Sequence, residues 1–183
     1  EDGIRGFCLS VGSGMCIRDS GSASSSREPV SSVDLRALLE TIVDDIAETR
    51  SDAAEKLILE ESTSRECAVI RGRPVSLKRA FTNLITNALN YGGSARISLV
   101  VHPEAERVIV RIDDNGPGLP PDDLKRMFEP FVRAEESRNR ETGGTGLGLA
   151  ISRTIFRGHG GDVTLENRRP HGLRATVSLH QHI

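Results

Sequence analysis

Apolar residues recur at helical spacing in three stretches of the chain. After Ser31, which with Asp34 forms the pattern of a capping box, apolar positions predict an amphipathic helix. Pro74 suits the first turn of a second helix, which we expect to run to about Tyr91. A third helix begins near Leu147 and ends at a run of glycines. The apolar positions of the first and third helices are Leu35, Leu38, Leu39, Ile42, Val43 and Ile46, then Leu147, Ala150, Ile151 and Ile155.

Alternation of apolar and polar residues predicts the strands. Segments 96–101 and 107–112 both alternate and are separated by HPEAE, so they predict an antiparallel hairpin. Segments 163–165 and 173–179 predict two closing strands around the turn NRRPHG. A short strand near 57–59 is expected to have residues 68–70 as its partner. Helices and strands do not alternate strictly, which favours a sheet covered by helices on one face.

Composition indicates one ordinary domain. The chain has 183 residues, of which 37% are hydrophobic, enough for a single core. Residues 1–29 are poor in periodic apolar positions and contain a Ser-rich stretch, so we expect a disordered tail or linker there. Part of this tail, CLSVGSGMCIRDSG, resembles a translated sequencing-adapter peptide, which suggests an artefactual origin. The predicted domain therefore covers residues 30–183.

Charge and cysteine content exclude several classes of function. The net charge is −2 with both signs interspersed, which argues against a nucleic-acid footprint. No apolar run is long enough to span a bilayer, and no export signal precedes the domain, so we expect a soluble, cytoplasmic chain. Its three cysteines have neither zinc nor disulfide spacing. With no Trp and one Tyr, the core must be aliphatic.

A polar stripe on the second helix is the first candidate for chemistry. Asn83, Asn87 and Tyr91 lie at i, i+4 and i+8, away from the apolar face. Asparagine is a mediocre helix former, and amide oxygens can hold Mg²⁺ beside phosphate oxygens. A solvated polar face explains the same pattern, so the stripe alone does not decide between the two.

Two glycine-rich turns are the second candidate. Asp114, Gly116 and Gly118 follow a strand as DxGxG, where a carboxylate can accept a hydrogen bond from an exocyclic amine of a base. GGTGLGLAIS leads into a helix whose free N–H groups suit phosphate. Between them, the charged segment 129–142 has the composition of a mobile lid. A tight turn, a connecting loop and a disordered surface loop are the respective alternatives.

These motifs occur together and in one order, and their combination resembles the N, G1, F and G2 boxes of the catalytic ATP-binding domain of bacterial sensor histidine kinases. The residues that carry the resemblance are Asn83, Asn87, Asp114, Gly116 and Gly118, with FEPF and GTGLGL. It covers about residues 29–179, and an osmosensor-type member is especially similar. The resemblance implies the α/β fold shared with gyrase, heat-shock chaperone and MutL ATPases: a two-layer sandwich, with a mixed, mostly antiparallel sheet covered on one face by about three helices.

The resemblance also implies roles for individual residues. Asn87 is expected to ligate Mg²⁺ and to act in catalysis, with Asn83 on the phosphate side. Asp114 is expected to read the adenine amino group, and Tyr91 to pack near the base. Arg133 is expected to reach the γ-phosphate, although several lid arginines are candidates. The other expected ATP-binding positions are Gly116, Gly118, Gly144, Thr145, Gly146, Leu147 and Gly148, and the expected aromatic anchors of the lid are Phe128 and Phe131.

The chain departs from the family pattern at three points. Asn90 stands where many members have Lys or Arg facing the phosphates, so Arg138 or Arg140 of the lid is expected to supply the charge. Arg174 stands where a small hydroxyl residue is common. None of the five histidines lies in the H-[ED]-x-R-[ST]-P context of a phosphoacceptor, and we expect residues 1–29 not to form the dimerisation helices that precede this domain in the family.

The function implied is that of the catalytic domain of a two-component sensor histidine kinase, which transfers the γ-phosphoryl of ATP to a histidine on a separate helical hairpin. ATP and Mg²⁺ are the expected ligands, and the isolated chain is not expected to autophosphorylate. Its expected partners are the dimerisation and phosphoacceptor domain, normally in the same chain, and a response regulator, with neither nucleic acid nor direct membrane contact. The resemblance leaves open a parent protein anchored in the bacterial inner membrane. A stand-alone ATPase or anti-sigma-type serine kinase of the same fold is the alternative.

Overall fold

The computed structural model describes residues 28–60, 68–132 and 146–182. Helices and strands are mixed along these ranges, with the strands that close the sheet at the end of the chain. In chain order the elements are β1 Ser31–Asp34, α1 Leu35–Thr49, β2 Leu57–Leu59, β3 Val69–Gly72, α2 Pro74–Gly92, β4 Ala95–His102, β5 Arg107–Asp113, α3 Pro121–Arg126, α4 Gly148–Gly158, β6 Asp162–Asn167 and β7 Leu173–His180.

A five-stranded sheet forms one layer, with the strand order β2-β4-β5-β7-β6. The β2–β4 pair is parallel and the other pairs are antiparallel. Burial alternates along β4, β5 and β7, so one face of the sheet lies against the core. The long helices α1, α2 and α4 and the short α3 make up the second layer. This arrangement confirms the predicted α/β sandwich with a mixed, mostly antiparallel sheet.

Helix α2 is the central element of the helical layer. Its buried positions contact α1, α4 and the sheet strands β4, β5 and β7. The Phe81 ring is fully buried and meets Phe156 of α4 edge to face, with 5.0 Å between ring centroids, so the expectation of a purely aliphatic core is wrong. Pro74 occupies the first turn, as predicted, and Gly93 ends the helix with φ of 71°. The expected span to about Tyr91 is therefore confirmed.

The start of α1 differs from the predicted capping box. Ser31 lies in β1, and Asp34 is the N-cap residue. The Asp34 carboxylate accepts hydrogen bonds from the backbone N–H groups of Arg36 at 2.9 Å and Ala37 at 3.3 Å. The helix begins later than expected because residues 31–34 stay extended in order to pair with β3. This pairing connects residues far apart in sequence and leaves no local signature.

The partner expected for the strand at 57–59 is also wrong. Residues 69–72 form β3, which pairs antiparallel with β1, so that Ser31 lies opposite Gly72. Strand β2 pairs instead with β4, in parallel. Two short strands that are close in sequence thus join different sheets, one two-stranded and one five-stranded. Residues 61–67 between them lie outside the described residues.

The predicted tail falls largely outside the structure, since residues 1–27 lie outside the described residues. The domain boundary at residue 30 therefore stays a prediction. Glu28 is the first described residue, and its carboxylate accepts hydrogen bonds from the backbone N–H groups of Val75 and Ser76 in the first turn of α2. Across the described ranges, no helix has the length and apolar character needed to cross a bilayer.

Asp34→Ala is predicted to lower the free energy of unfolding by about 1 kcal/mol, because the first N–H groups of α1 lose their acceptor. Ser31→Ala is the matched control and leaves that free energy unchanged, since Ser31 is exposed in β1. Urea denaturation of the two variants and the unchanged chain measures the difference. A larger loss in Ser31→Ala than in Asp34→Ala would contradict the assignment of the cap.

Candidate nucleotide site

The polar stripe of α2 faces the start of α4. The Asn83 side-chain amide lies 3.4 Å from both the Gly148 carbonyl oxygen and Ser152 Oγ. Ser152 is fully buried, and its hydroxyl donates to the α4 backbone at Gly148. A small residue at this crossing lets the two helices approach closely, which fixes Asn83 beside the glycine turn. The structure thus brings together two motifs that are 65 positions apart in sequence.

Asn87 and Tyr91 continue the stripe towards the end of α2. The Asn87 side chain is half-buried and has no hydrogen-bond partner among the residues that the structure describes. Tyr91 is 37% exposed. From Asn83 to Gly92 the helix extends about 14 Å along its axis, a span that accommodates a nucleotide. The amide of Asn87, midway along this span, is therefore available to a ligand.

Asp114 lies at the other end of this span, just after β5. Its carboxylate is buried, and Oδ1 accepts hydrogen bonds from the backbone N–H groups of Gly116 and Leu173, both at 2.9 Å. The backbone N–H of Asp114 donates to the Leu173 carbonyl oxygen at 2.9 Å. Within the described part of the chain, Oδ2 has no protein partner. One carboxylate oxygen is thus fixed by the fold, and the other can accept from a ligand.

Asp114 is closely surrounded by three glycines, and side chains at these positions would collide with it or with its neighbours. A Cβ on Gly92 would lie 2.3 Å from the Asp114 Cβ, and one on Gly172 would lie 2.1 Å from the Asp114 carbonyl oxygen. A Cβ on Gly116 would meet the Gly92 Cα at 2.9 Å. The last turn of α2 and the turn after β5 therefore touch through backbone atoms. The predicted close approach of backbone at Gly116 is present, and Gly92 is a second glycine that makes it possible.

Asn167 holds the turn after β5 in place. Its side-chain oxygen accepts from the Leu119 N–H at 2.9 Å, and its side-chain NH₂ donates to the Leu119 carbonyl oxygen at 2.7 Å. Gly118, with φ of 80°, passes so close to Asn167 that a Cβ would lie 2.6 Å from the amide oxygen. Sequence reasoning missed Asn167, because it reads as the first residue of an ordinary turn.

Arg168 and Arg174 bind Asp113, the neighbour of Asp114. Arg174 makes two parallel bonds to the Asp113 carboxylate, both of 2.7 Å. Arg168 Nε lies 3.3 Å from the same carboxylate, and its Nη1 donates to the Asp114 carbonyl oxygen at 2.7 Å. Asp113 and Arg174 are cross-strand partners, next to the core-facing pair Ile112 and Ala175, so they lie on the opposite face of the sheet, away from the helices. The departure at position 174 therefore does not place a guanidinium in the site.

The glycine turn before α4 is described only in part. Gly146 has φ of 70°, and Leu147 is the N-cap of α4 without a side-chain cap hydrogen bond. Among the residues that the structure describes, the N–H groups of the first turn thus have no side-chain acceptor. Five residues with expected roles lie outside the described residues, namely Arg133, Arg138, Arg140, Gly144 and Thr145.

The two phenylalanines of FEPF differ in their environment. Phe128 is partly buried against the core, as expected of an anchor. Phe131 is 75% exposed and has a positive φ of 66°. Its expected role as an aromatic anchor of the lid stays a prediction, because residues 133–145 lie outside the described residues. Its backbone is the part that packs, because a Cβ on Gly146 would lie 3.2 Å from the Phe131 Cα.

Asn90, the other departure, is exposed and bound to α1. Its side-chain oxygen accepts a hydrogen bond of 2.7 Å from Arg50, which caps the C-terminus of α1. An arginine from a different helix thus reaches the position where the family pattern has a cation. No sequence signal pointed to Arg50, since the contact spans 40 positions.

Comparisons with known proteins agree on one family. Residues 72–183 match the sequence profile of the histidine kinase-, DNA gyrase B-, and HSP90-like ATPases. The sensor histidine kinase GtrS of Pseudomonas aeruginosa is 40% identical over 172 residues, which cover 93% of this chain and 32% of GtrS. The chain therefore spans about a third of that relative.

Solved structures give the same result. The ATP-binding domain of PrrB from Mycobacterium tuberculosis is similar with a TM-score of 0.66 and 29% identity, over 84% of this chain and 98% of that one. The histidine kinase domain of the Escherichia coli osmosensor EnvZ has a TM-score of 0.61 and 31% identity, over 83% and 89% of the two chains. The resemblance to an osmosensor-type member is thereby confirmed.

Gly92→Ala is predicted to lower the free energy of unfolding by about 1–3 kcal/mol, because the added methyl group overlaps the Asp114 side chain. Gly158→Ala is the control, since a Cβ at that helical glycine meets nothing within 4 Å. Urea denaturation should show a loss for the first variant and none for the second. Equal stability of the two variants would contradict the described contact between Gly92 and Asp114.

Proposed function

Because the chain belongs to the histidine kinase-, DNA gyrase B-, and HSP90-like ATPase family, we propose that it is the ATP-binding catalytic domain of a two-component sensor histidine kinase. In this proposal it transfers the γ-phosphoryl group of ATP to a histidine on a helical hairpin domain, and a response regulator then receives the phosphoryl group. The parent protein is proposed to be anchored in the inner membrane, with this domain in the cytoplasm. The supporting observation is that two glycine turns lie at opposite ends of one polar stripe on α2.

Asp114 provides the adenine end of the proposed site. Its Oδ1 is saturated by two backbone N–H groups, which leaves Oδ2 to accept from an exocyclic amine. Gly92, Gly116 and Gly172 let the backbone around Asp114 approach without colliding side chains, which fixes the position of its carboxylate. Tyr91, half-exposed on the last turn of α2, supplies an aromatic ring for packing near the base. A planar base with an amino group fits this set of residues.

Asn83, Asn87 and the start of α4 provide the phosphate end. The first turn of α4, whose N-cap residue Leu147 makes no side-chain cap hydrogen bond, offers backbone N–H groups and the positive end of a helix dipole. Gly148 starts this turn within reach of the Asn83 amide. The Asn87 amide has no hydrogen-bond partner within the described ranges, and its oxygen is a suitable ligand for Mg²⁺, which would neutralise charge on the phosphate oxygens. The residues present thus fit a magnesium-bearing triphosphate.

Positioning and charge stabilisation carry the proposed transfer, since phosphoryl transfer needs little covalent chemistry from the protein. Asp114 fixes the base, and the α4 turn fixes the phosphates, so the γ-phosphoryl group is held in one place for an incoming imidazole. Arg133 or another arginine of segment 133–145 is proposed to stabilise charge on that group.

Asn87→Ala is predicted to weaken Mg²⁺-dependent ATP binding by at least about tenfold, because the metal loses a protein ligand. Isothermal titration calorimetry with ATP, run once with Mg²⁺ and once with EDTA, measures the change. In EDTA the variant and the unchanged chain should bind alike.

Thr86→Ala is the matched control for that measurement. Thr86 lies one position before Asn87, and its hydroxyl donates within α2 to the Thr82 carbonyl oxygen at 2.7 Å. Its removal should leave both affinities unchanged. If Asn87→Ala lost affinity equally with Mg²⁺ and with EDTA, the proposed metal role of Asn87 would be refuted.

Phosphotransfer to a separate histidine hairpin is the direct test of the proposed activity. The purified chain, incubated with ATP labelled at the γ-phosphate, should carry no label by itself. Addition of a dimeric helical hairpin with a phosphoacceptor histidine, taken from a similar sensor kinase, should give acid-labile label on the hairpin. Asn87→Ala should abolish that label.

Two results would count against this activity. Acid-labile label on the isolated chain would show an acceptor within it. Acid-stable label on an added serine-bearing antagonist, with none on the histidine hairpin, would favour the anti-sigma-type serine kinase instead.

A further inference from the structure

Arg153 contacts both Phe128, which follows α3, and Asp162, which begins β6. It lies in α4, and its guanidinium carbon is 4.7 Å from the centroid of the Phe128 ring. This distance is within the range of a cation–π contact. The Arg153 side chain is 28% exposed, so the contact is partly shielded from water.

Asp162, the first residue of β6, holds this guanidinium in a fixed orientation. Arg153 Nε and Nη2 donate to the two carboxylate oxygens at 2.8 and 3.0 Å, which is the bidentate geometry that a planar guanidinium favours. The backbone N–H of Val163 donates to the same carboxylate at 2.8 Å. Hydrogen bonds from Arg153, and then from Arg157, hold the pKa of the Asp162 carboxyl well below its usual range. The ion pair therefore persists throughout the neutral range of pH.

Phe128 in turn belongs to the segment that lies on the glycine turn. Phe128 is partly buried, and three residues later the backbone of Phe131 and Val132 passes over Gly146. A Cβ at Gly146 would lie 3.2 Å from the Val132 carbonyl oxygen and from the Phe131 Cα. The segment 128–132 is thus fixed at one end by Arg153 and rests at the other end on the turn that precedes α4.

We propose that Arg153 is a positioning residue for nucleotide binding, which acts by holding Phe128 so that segment 128–132 keeps the glycine turn at Gly146 in its binding conformation. This inference rests on the proposed function. Arg153 itself contacts neither base nor phosphate, and Asp162 acts only through Arg153. The effect is specific to the phosphate end of the site, because Asp114 and its partners lie at the other end of α2.

The chain contains a matched control for this role. Arg157 lies one turn further along α4 and donates to the same Asp162 carboxylate at 3.1 and 3.3 Å. Its side chain is 57% exposed, and among the described residues it contacts no aromatic ring. Removal of Arg157 thus deletes a cationic partner of the same carboxylate but keeps the contact between Arg153 and the Phe128 ring.

The test compares Arg153→Ala, Arg157→Ala and the unchanged chain. Titrations with MgATP and with adenosine, followed by NMR chemical shifts, report the phosphate and base ends separately. Arg153→Ala should weaken MgATP binding by about threefold to tenfold and leave adenosine binding unchanged. Arg157→Ala should change neither affinity. If Arg153→Ala fails to fold, Arg153→Lys replaces it, since lysine keeps the charge but cannot both stack and bind in a bidentate manner.

A double-mutant cycle with Phe128→Leu tests the route of the effect. When Phe128 is already replaced, Arg153→Ala should cause no further loss of MgATP affinity. A full additional loss, an equal loss of adenosine binding, or MgATP affinity equal to that of Arg157→Ala would each overturn the inference while leaving the proposed function in place. If the unchanged chain fails to bind MgATP, the proposed function is refuted, and this inference is refuted with it.

Discussion

The amphipathic division of α2 is the constraint on which the site depends. One side of this helix is buried against α1, α4 and three strands of the sheet, so the helix cannot rotate without exposing its apolar face. With rotation fixed, Asn83 must face the start of α4, and Gly92 must meet Asp114. Burial of the apolar stripe therefore places the polar stripe between the two glycine turns.

Periodicity in the sequence was sufficient where a single element determines its own pattern. Helix α2, the β4–β5 hairpin and strand β7 agree with expectation because apolar residues at a period of 3.6 or 2 mark their buried faces. The predicted cap of α1 and the predicted partner of residues 68–70 were wrong. Both depend on the pairing of β1 with β3, two strands that are separated in sequence by α1 and β2. The register between short strands that are distant in sequence depends on the tertiary fold, and the pattern of residues 31–34 alone does not predict it.

The main residues of the candidate site could be predicted from the sequence, but the residues that hold them in position could not. Asparagines in a helix and glycines beside a carboxylate are unusual enough locally to be noticed. Asn167, Arg153 and Arg168 are common surface residue types whose roles arise only from distant contacts, such as the bond between Asn167 and Leu119 across 48 positions. The departures at Asn90 and Arg174 were visible in the sequence, whereas their partners Arg50 and Asp113 required the fold.

Fixation of one Asp114 oxygen by the backbone has a consequence for discrimination between purines. The remaining oxygen is an acceptor only, and two N–H groups keep the carboxylate from rotating to present anything else. A guanine base in the same orientation would direct its carbonyl oxygen at this acceptor, so that two lone pairs would face each other without a proton between them. In the proposed site, rejection of guanine therefore requires no additional residue, because Asp114 Oδ2 accepts a hydrogen bond from an amino group and has no proton to donate to a carbonyl oxygen.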